Sequence, residues 1–244
     1  MKKLVLLIIT LIAVNLTAQQ SVVLRYNYKK GDVHEIKMKM TQEMGAIMAQ
    51  TTNTTMSQKT IAIKGDTIVN ESKIDKMTMD MVQGGQVMNF DSSKKDDELD
   101  EMGKMMKSQM APIFSAVITT KSNSLGDVLG VSVVPSIPQV EQMGKQNSSV
   151  VYPKEAVKVG STWSSTKEES GMTMKMEYLV KTISEKEVVL SISGDISGMA
   201  TGTILGDMTI EIATGLPANS NLQMKMNIQG QEMIMGVTGS ITRK

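Results

Sequence analysis

Most of the chain alternates between apolar and polar residues with a period of two. In VHEIKMKM (33–40), one histidine, one isoleucine and two methionines fall on one side, and charged residues dominate the other. Successive side chains of a β-strand point to opposite faces of a sheet, so this pattern predicts a strand with one apolar and one solvated face. MTMKMEYLV (172–180) and NLQMKMNI (221–228) show the same pattern.

Gly-Asp pairs separate many of these runs. They occur at residues 31–32, 65–66, 126–127, 194–195 and 206–207. Glycine tolerates positive φ and aspartate bonds its own local backbone, so each pair predicts a tight turn. Strands at this spacing with one polar face favour an antiparallel sheet with a solvated side.

Two segments in the middle of the chain depart from the alternation. In residues 92–110 one leucine and three methionines recur at helical spacing, after an acidic start and with basic residues later, which suits the helix dipole. We expect Pro112 to end this helix or to begin a short second turn. The segment 135–149 opens on a proline, and it predicts a short helix or a loop.

Together these elements predict a mainly β fold: a curved antiparallel sheet, half-barrel or clam-like, with one or two helices in the middle. Residues 19–244 would form one β-rich domain. Its parts 19–134 and 150–244 each run from a lysine-rich glycine turn to a methionine-rich strand and then to Lys-Thr-Ile. They suggest two related halves joined by a helical or loop segment, although the spacing differs between them.

The first residues are typical of a secretory signal peptide, predicted at 1–18. Lys2 and Lys3 precede an apolar stretch at 4–14, and Leu-Thr-Ala at 16–18 supplies a cleavage site. No later stretch approaches the roughly 20 apolar residues that cross a bilayer as a helix. We therefore expect an exported protein, whether periplasmic, outer-membrane-associated or secreted, with no transmembrane segment in the mature chain.

Charge and composition exclude several classes of function. Without Lys2 and Lys3, the 26 basic residues become 24 against 25 acidic ones, a net charge of −1, which gives no footprint for nucleic acid. The chain has no cysteine, so disulfides, cysteine nucleophiles and thiolate metal sites are excluded. With one histidine, the usual pairs of nucleophile and base are nearly exhausted. We expect neither enzymatic activity nor a cofactor.

Methionine is the unusual component, with 24 residues in a chain that is only 3% aromatic. A curved sheet has a concave side, and unbranched thioether side chains adapt to irregular apolar ligands. The methionine faces therefore predict binding of an apolar or lipid-like ligand, or of an envelope protein partner. The candidate residues are Met38, Met40, Met79, Met172, Met174, Met176, Met224 and Met226.

Alternative interpretations of the methionines stay open. Apolar alternation is first of all a core signal, so the protein is alternatively a structural envelope module with a filled core and no ligand. Met-x-Met strands also present paired thioethers to Cu(I), and His34 shares a face with Met38 and Met40. About 13 Å of extended strand separates His34 from Met38, so a joint copper site needs methionines of a neighbouring strand. A reversible sink for oxidants would need exposed methionines, whereas the alternation predicts buried ones.

Four stretches carry a family resemblance. They are LRYNYKKGDV near the start, MNFDSS at 88–93, YPKEAVKVGSTW at 152–163 and GTILGDMTIEIATGLPANSNLQMKM toward the end. Together they resemble a family of exported bacterial proteins of unknown function, of the Bacteroidetes type. These are signatures of turns and strands, so the resemblance implies a β fold and export, without a chemistry. At the level of fold, the predicted sheet with a helix across it is also similar to LolA/LolB-type lipoprotein carriers.

Overall fold

The computed structural model describes residues 20–138, 140–141, 144, 150–169 and 171–244, so the predicted signal peptide lies outside the described residues. These residues include twelve strands and the α-helix α1 (Glu101–Ser115), which follows a short 3-10 turn at Asp96–Glu98. The strands are β1 (Val33–Met44), β2 (Met48–Lys64), β3 (Thr67–Gln83), β4 (Gln86–Asp91), β5 (Val117–Ser122), β6 (Val128–Val134), β7 (Thr162–Glu169), β8 (Met172–Ile183), β9 (Glu187–Gly198), β10 (Thr201–Glu211), β11 (Leu216–Ile228) and β12 (Gln231–Arg243).

Every strand of the described residues belongs to one antiparallel sheet, as predicted. The order is β6-β5-β3-β2-β1-β12-β11-β10-β9-β8-β7, and β4 pairs with the far end of β3. Strands β1–β6 and β7–β12 form two meanders, and both cross the sheet in the same direction. They meet where β1 pairs with β12. The sheet is open, with β6 and β7 at its edges. The duplication of the two halves stays a prediction.

The strand register places the alternating apolar residues on one side of the sheet. Residues directly opposite each other on neighbouring strands point to the same face, so a row of them can be followed across the sheet. One row consists of Trp163, Tyr178, Ile192, Gly206, Leu222, Val237, Met40, Thr52, Met79 and Phe90. We call the face that carries this row the inner face.

Three of the predicted Gly-Asp turns are confirmed. The pairs at 31–32, 65–66 and 126–127 lie in connections outside the strands, and their glycines have positive φ. Such backbone conformations are rare for residues with a side chain, which explains the choice of glycine there.

The other two Gly-Asp predictions are wrong, because 194–195 lies inside β9 and 206–207 lies inside β10. A Cβ atom at Gly206 would overlap the carbonyl group of Asn221 on β11, and one at Gly194 would overlap that of Lys175 on β8. Glycine within a strand often marks a close approach of another backbone. These two glycines therefore let neighbouring strands approach on the inner face and do not turn the chain.

Helix α1 confirms the predicted helix, but its limits differ. It begins after Asp100, whose carboxylate accepts a hydrogen bond from the backbone N–H of Gly103 at 2.7 Å. Pro112 lies inside the helix, so the prediction that it ends the helix or begins a second turn is wrong. The helix continues because its last turn packs on the sheet, with the ring of Phe114 6.5 Å from that of Phe90.

The predicted apolar side of the helix is only partly correct. Leu99 is buried but precedes the helix, and Met102 is exposed. Of the second predicted segment, 135–149, the structure describes residues 135–138, 140–141 and 144. Val140 has helical backbone and is buried beside Ile118 of β5. None of the helices in the described residues combines the length and hydrophobicity needed to cross a membrane.

Two irregular segments, 20–28 and 150–157, pack into the larger core cluster. Backbone hydrogen bonds join Val22 to Val157 in both directions at 2.8 Å. The hydroxyl group of Tyr26 donates to the carbonyl of Val150 at 3.2 Å, and that of Tyr152 donates to Gly215 at 2.7 Å. These segments pack with β8–β11, and a second cluster joins β2, β3, β5 and β6 to the end of α1.

Candidate ligand-binding cavity

The sheet surrounds a cavity of about 350 Å³. Its lining comes from β1–β3, β5 and β6 in one half of the sheet, from β7–β12 in the other, and from the segments around Tyr26, Val140 and Val150. Pockets that bind small molecules typically measure roughly 300–1,000 Å³. The inner face therefore leaves a space large enough for a small guest.

One wall of the cavity is apolar. Strands β8–β11 contribute Met176, Tyr178, Ile192, Met208 and Leu222. The Tyr178 ring stacks on the ring of Trp163 at 5.2 Å, and the indole N–H of Trp163 donates to the Val151 carbonyl at 2.9 Å. Burial raises the pKa of Tyr178, so its hydroxyl stays protonated and this wall carries no charge.

The opposite wall carries uncharged hydrogen-bonding groups. They belong to Thr54 on β2, to Asn70 and Ser72 on β3, and to Thr120 and Ser122 on β5. Asn70 accepts a hydrogen bond from the Thr60 hydroxyl at 2.8 Å, which fixes its side chain. Thr54 and Ser72 are each only 7% exposed, yet both line the cavity. Their hydroxyl groups are therefore available to a bound molecule.

Charge contributes little to this site. Within the described part of the lining, no aspartate or glutamate is present, and the charged residues are Lys37 and Lys167. Lys37 pairs with Glu35 at 2.8 Å, and Lys167 also has an interaction partner. The cavity thus combines an apolar wall with a neutral polar one.

All eight predicted methionines lie on the inner face, at different depths along the strands. Met38 and Met176 line the cavity. Met40 and Met79 are half-buried in the row that defines the inner face. The remaining four, Met172, Met174, Met224 and Met226, pack in or against the larger core cluster. Their role in ligand binding stays a prediction.

Other cavity residues are absent from the sequence prediction. Met208 follows the Gly-Asp pair at 206–207, which the sequence assigned to a turn, so it was not placed on a strand. Met56 lies in a run of polar residues on β2 and gave no apolar alternation. Polar inner-face residues such as Asn70 and Ser72 look like a solvated face in the sequence. Polar residues between apolar ones on the same face, as Asn70 and Ser72 lie between Ile68 and Ile74, are the signal that identifies such positions.

His34 lies in a separate, smaller pocket of about 150 Å³, which Asp32 and Arg243 also line. His34 is 2% exposed, and among the described residues its Nδ1 atom has no hydrogen-bond partner. The Tyr28 ring packs edge-on against the imidazole at 5.5 Å. Burial lowers the pKa of His34, which favours the neutral ring.

The predicted copper site finds no support in this geometry. Met38 lines the large cavity, whereas His34 lines the smaller pocket, which includes no methionine in the described residues. The same part of the chain also has no group of three or more histidine, aspartate or glutamate residues placed to hold a metal ion. The histidine and the methionines thus do not converge.

Comparison with known proteins gives a family match over part of the chain. Residues 141–234 match a family described as "Family of unknown function (DUF6263)". No curated protein matches the sequence significantly. The predicted likeness to a family of unknown function therefore has support in this region, while the bacterial group and export stay predictions.

The solved structures that match this chain include the following two. The first, from "Lipid-protein interactions in lipovitellin", has a TM-score of 0.56 and 9% identity over 89% of this chain. This chain spans only 25% of that lipovitellin chain, and at such low identity the likeness shows the fold alone. The second is the translocator domain of autotransporter NalP from Neisseria meningitidis, with 10% identity over 91% of both chains. Its TM-score of 0.37 does not show a common fold.

Proposed function

We propose that this protein is exported, has no enzymatic activity and binds an apolar, lipid-like molecule in the cavity of its inner face. The observation that carries the proposal is the cavity of about 350 Å³ between the two halves of the open sheet. Its apolar wall is preformed, because Tyr178, which lines it, stacks on Trp163. A preformed pocket reduces the ordering cost of binding.

The apolar surface that a small ligand buries in this cavity is sufficient for micromolar affinity. Burying apolar surface contributes roughly 25 cal/mol per Å², so about 400 Å² contributes about 10 kcal/mol before the costs of association. We expect dissociation constants in the micromolar range. The similar lipovitellin structure, which concerns lipid–protein interactions, supports this choice of ligand class at the level of fold.

A fluorescent apolar probe tests the cavity directly. Full-length mature protein would be titrated with N-phenyl-1-naphthylamine, which is uncharged and brightens in apolar surroundings. We expect saturable binding in the wild type and at least about tenfold weaker binding in Leu222→Trp, because Leu222 lines the cavity and a larger ring fills it. Leu205→Trp is the matched control, since Leu205 is exposed on the other face of β10.

Two results would reject this function. One is the absence of saturable probe binding by the folded wild-type protein. The other is equal loss of binding in both tryptophan variants, which would place the probe outside the cavity. Native mass spectrometry of protein from its own host adds an independent measurement, because a bound lipid-like molecule adds its mass. A bare mass together with no probe binding favours the structural envelope module instead.

The export component has its own test. Residues 1–18 carry the signal-peptide pattern that motivates it. Protein recovered from the host envelope or medium is expected to begin near Gln19, as measured by intact mass. A full-length chain recovered from the cytoplasm would contradict export without affecting the cavity proposal.

A further inference from the structure

The polar wall of the cavity forms a continuous patch. Asn70 lies opposite Thr120 in the register between β3 and β5, and Ser72 and Ser122 occupy the next inner-face positions on those strands. Neighbouring strands lie about 4.8 Å apart, and residues two apart on one strand about 6.6 Å. Gln58 of β2, opposite Ser72, extends the patch. We call these five residues the polar patch.

The patch consists of hydroxyl and amide groups, which donate and accept hydrogen bonds without a charge. The Tyr28 hydroxyl donates to the side-chain oxygen of Gln58 at 3.2 Å, and Asn70 already accepts from Thr60. The hydroxyls of Ser72, Thr120 and Ser122 line the cavity and, among the described residues, form no hydrogen bond with one another or with other side chains. A guest with oxygen atoms at this position would satisfy them.

An ionised ligand would bind weakly at the polar patch. A buried carboxylate or phosphate needs a cation or several donors to compensate for its lost hydration. The patch contains no arginine, lysine or histidine. Of the lysines that line the cavity elsewhere, Lys37 is paired with Glu35 and Lys167 has its own partner. The patch thus offers hydrogen bonds to a neutral head group and no cation to an anionic one.

We propose that the ligand of this cavity is an apolar molecule with an uncharged ester or hydroxyl group, which the polar patch binds, and that the cavity discriminates against carboxylates of the same chain length. This inference rests on the proposed function and deepens it. The apolar part of the ligand lies against Met176, Ile192 and Met208, and its oxygen atoms face Ser72 and Thr120.

Competition between matched compounds tests the inference. The probe N-phenyl-1-naphthylamine, bound to full-length mature protein at pH 7.5, would be displaced by 1-monomyristoylglycerol or by myristate, both below their aggregation concentrations. We expect the neutral ester to displace the probe at a concentration at least about tenfold lower than myristate. Equal potency, or greater potency of myristate, overturns the inference while the proposed function stands. Absence of any probe binding overturns both.

Variants locate the preference within the cavity. Ser72→Ala combined with Thr120→Val removes two hydroxyl groups with little change of shape, and each hydrogen bond lost reduces affinity by about fivefold. We expect the monoacylglycerol to displace the probe only at a higher concentration, so that its advantage over myristate shrinks. Thr119→Val is the matched control, since Thr119 is the neighbouring residue on the opposite face of β5. An unchanged preference in the double variant, with probe binding intact, overturns the role of the patch.

Discussion

At Gly206 and Gly194, neighbouring strands come so close that a hydrogen atom is the largest substituent that fits. The Cβ atom of any other residue would meet a carbonyl group of the next strand, on β11 for Gly206 and on β8 for Gly194. Both positions lie on the inner face, opposite Ile192 and Met176 respectively. Glycine at these positions therefore lets β10 approach β11 and β9 approach β8 on the inner face.

Gly206→Ala tests this dependence. The added methyl group forces β10 and β11 apart, and overpacking of this kind costs about 1–3 kcal/mol of the free energy of unfolding. Urea unfolding followed by the fluorescence of Trp163 would measure the loss. Gly130→Ala in β6 is the control, because nothing lies within 4 Å of a Cβ there. Equal midpoints for the two variants would contradict the close-approach explanation.

His34 links stability to pH. Burial is the main cause of its lowered pKa, and Arg243 lowers it further, while Asp32 and Glu211 act in the opposite direction. Because the folded pKa lies below the unfolded value of about 6.5, the unfolded state binds the proton more readily. The folded state is thus penalised as pH falls through about 6.5.

We expect the melting temperature of the wild type to decrease from pH 7.5 to pH 5.5 more than that of His34→Phe. Phenylalanine keeps an aromatic ring against Tyr28 and removes the titrating group. Hydrogen-bonded carboxylates lose their stabilising contributions only at lower pH, since hydrogen bonds from Lys37 and Ser93 hold the pKa values of Glu35 and Asp91 below their ordinary acidic values. Parallel pH profiles for the two proteins would show that His34 does not titrate on unfolding.

At the scale of elements, α1 owes its starting point to one side chain. Asp100 satisfies the N–H group of Gly103, one of the four that a helix leaves unpaired at its N-terminus. Gly103 is buried against Leu99, so the first turn of the helix is tied to the preceding segment. The cap therefore fixes where the helix meets the sheet.

Asp100→Ala is expected to lower the free energy of unfolding by about 1 kcal/mol, the usual effect of removing an N-cap. Chemical denaturation monitored by far-ultraviolet circular dichroism would measure it. Asp97→Ala, in the exposed 3-10 turn before the helix, keeps the cap and changes the charge equally. If both variants lose the same stability, the effect is one of charge and not of capping.

The sequence predicted elements better than it predicted their packing. A period of two identified β1, β8 and β11, because each buries one face and exposes the other. The Gly-Asp pairs at 194–195 and 206–207 were wrongly assigned to turns, because glycine is used both in turns and where two strands approach closely. Only the position of the neighbouring strand distinguishes these two uses of glycine. Pro112 misled because local propensity is overridden by packing of the last helical turn.

The sequence predicted which face of the sheet carries the candidate site, but not which residues of that face line the cavity. Alternation placed Met38 and Met176 on the inner face but could not distinguish them from Met226, which fills the core. Whether an inner-face methionine lines the cavity or fills the core depends on its position along the strand. It also depends on where the segments 20–28 and 150–157 pack against the sheet. The polar patch needed the pairing of β3 with β5, which is not encoded in either strand alone.

At the scale of the whole molecule, the methionines gather toward one end of the inner face. The row beside the defining one consists of Ser165, Met176, Gly194, Ile204, Met224, Met235, Gln42, Gln50, Met81 and Met88. Methionine fills irregular space with little strain. It suits a face that packs in the core cluster at Met224, Met226 and Met235 and lines the cavity at Met38, Met176 and Met208.

Mild peroxide oxidation should follow this arrangement. Met199, Met105 and Met102, with 70%, 48% and 44% of their surfaces exposed, are expected to oxidise first. Met226 and Met233, both buried, are expected to stay reduced while the fold persists. Peptide mass spectrometry over time gives the order. Uniform oxidation of all methionines in the folded protein would contradict the burial of the inner face and would favour the oxidant-sink interpretation.

The pairing of β1 with β12 sets the order in which the molecule is able to assemble. These strands are neighbours in the middle of the sheet, with His34 opposite Arg243, yet the other ten strands lie between them along the chain. Each meander is able to form locally from its own hairpins, but β1 keeps an unpaired edge until β12 is in place. Such distant pairings form slowly, and open edges invite association with other chains. The pairing in the middle of the sheet is thus the last to form. Until β12, a strand of 13 residues, pairs with β1, the exposed edge of β1 needs protection from association with other chains.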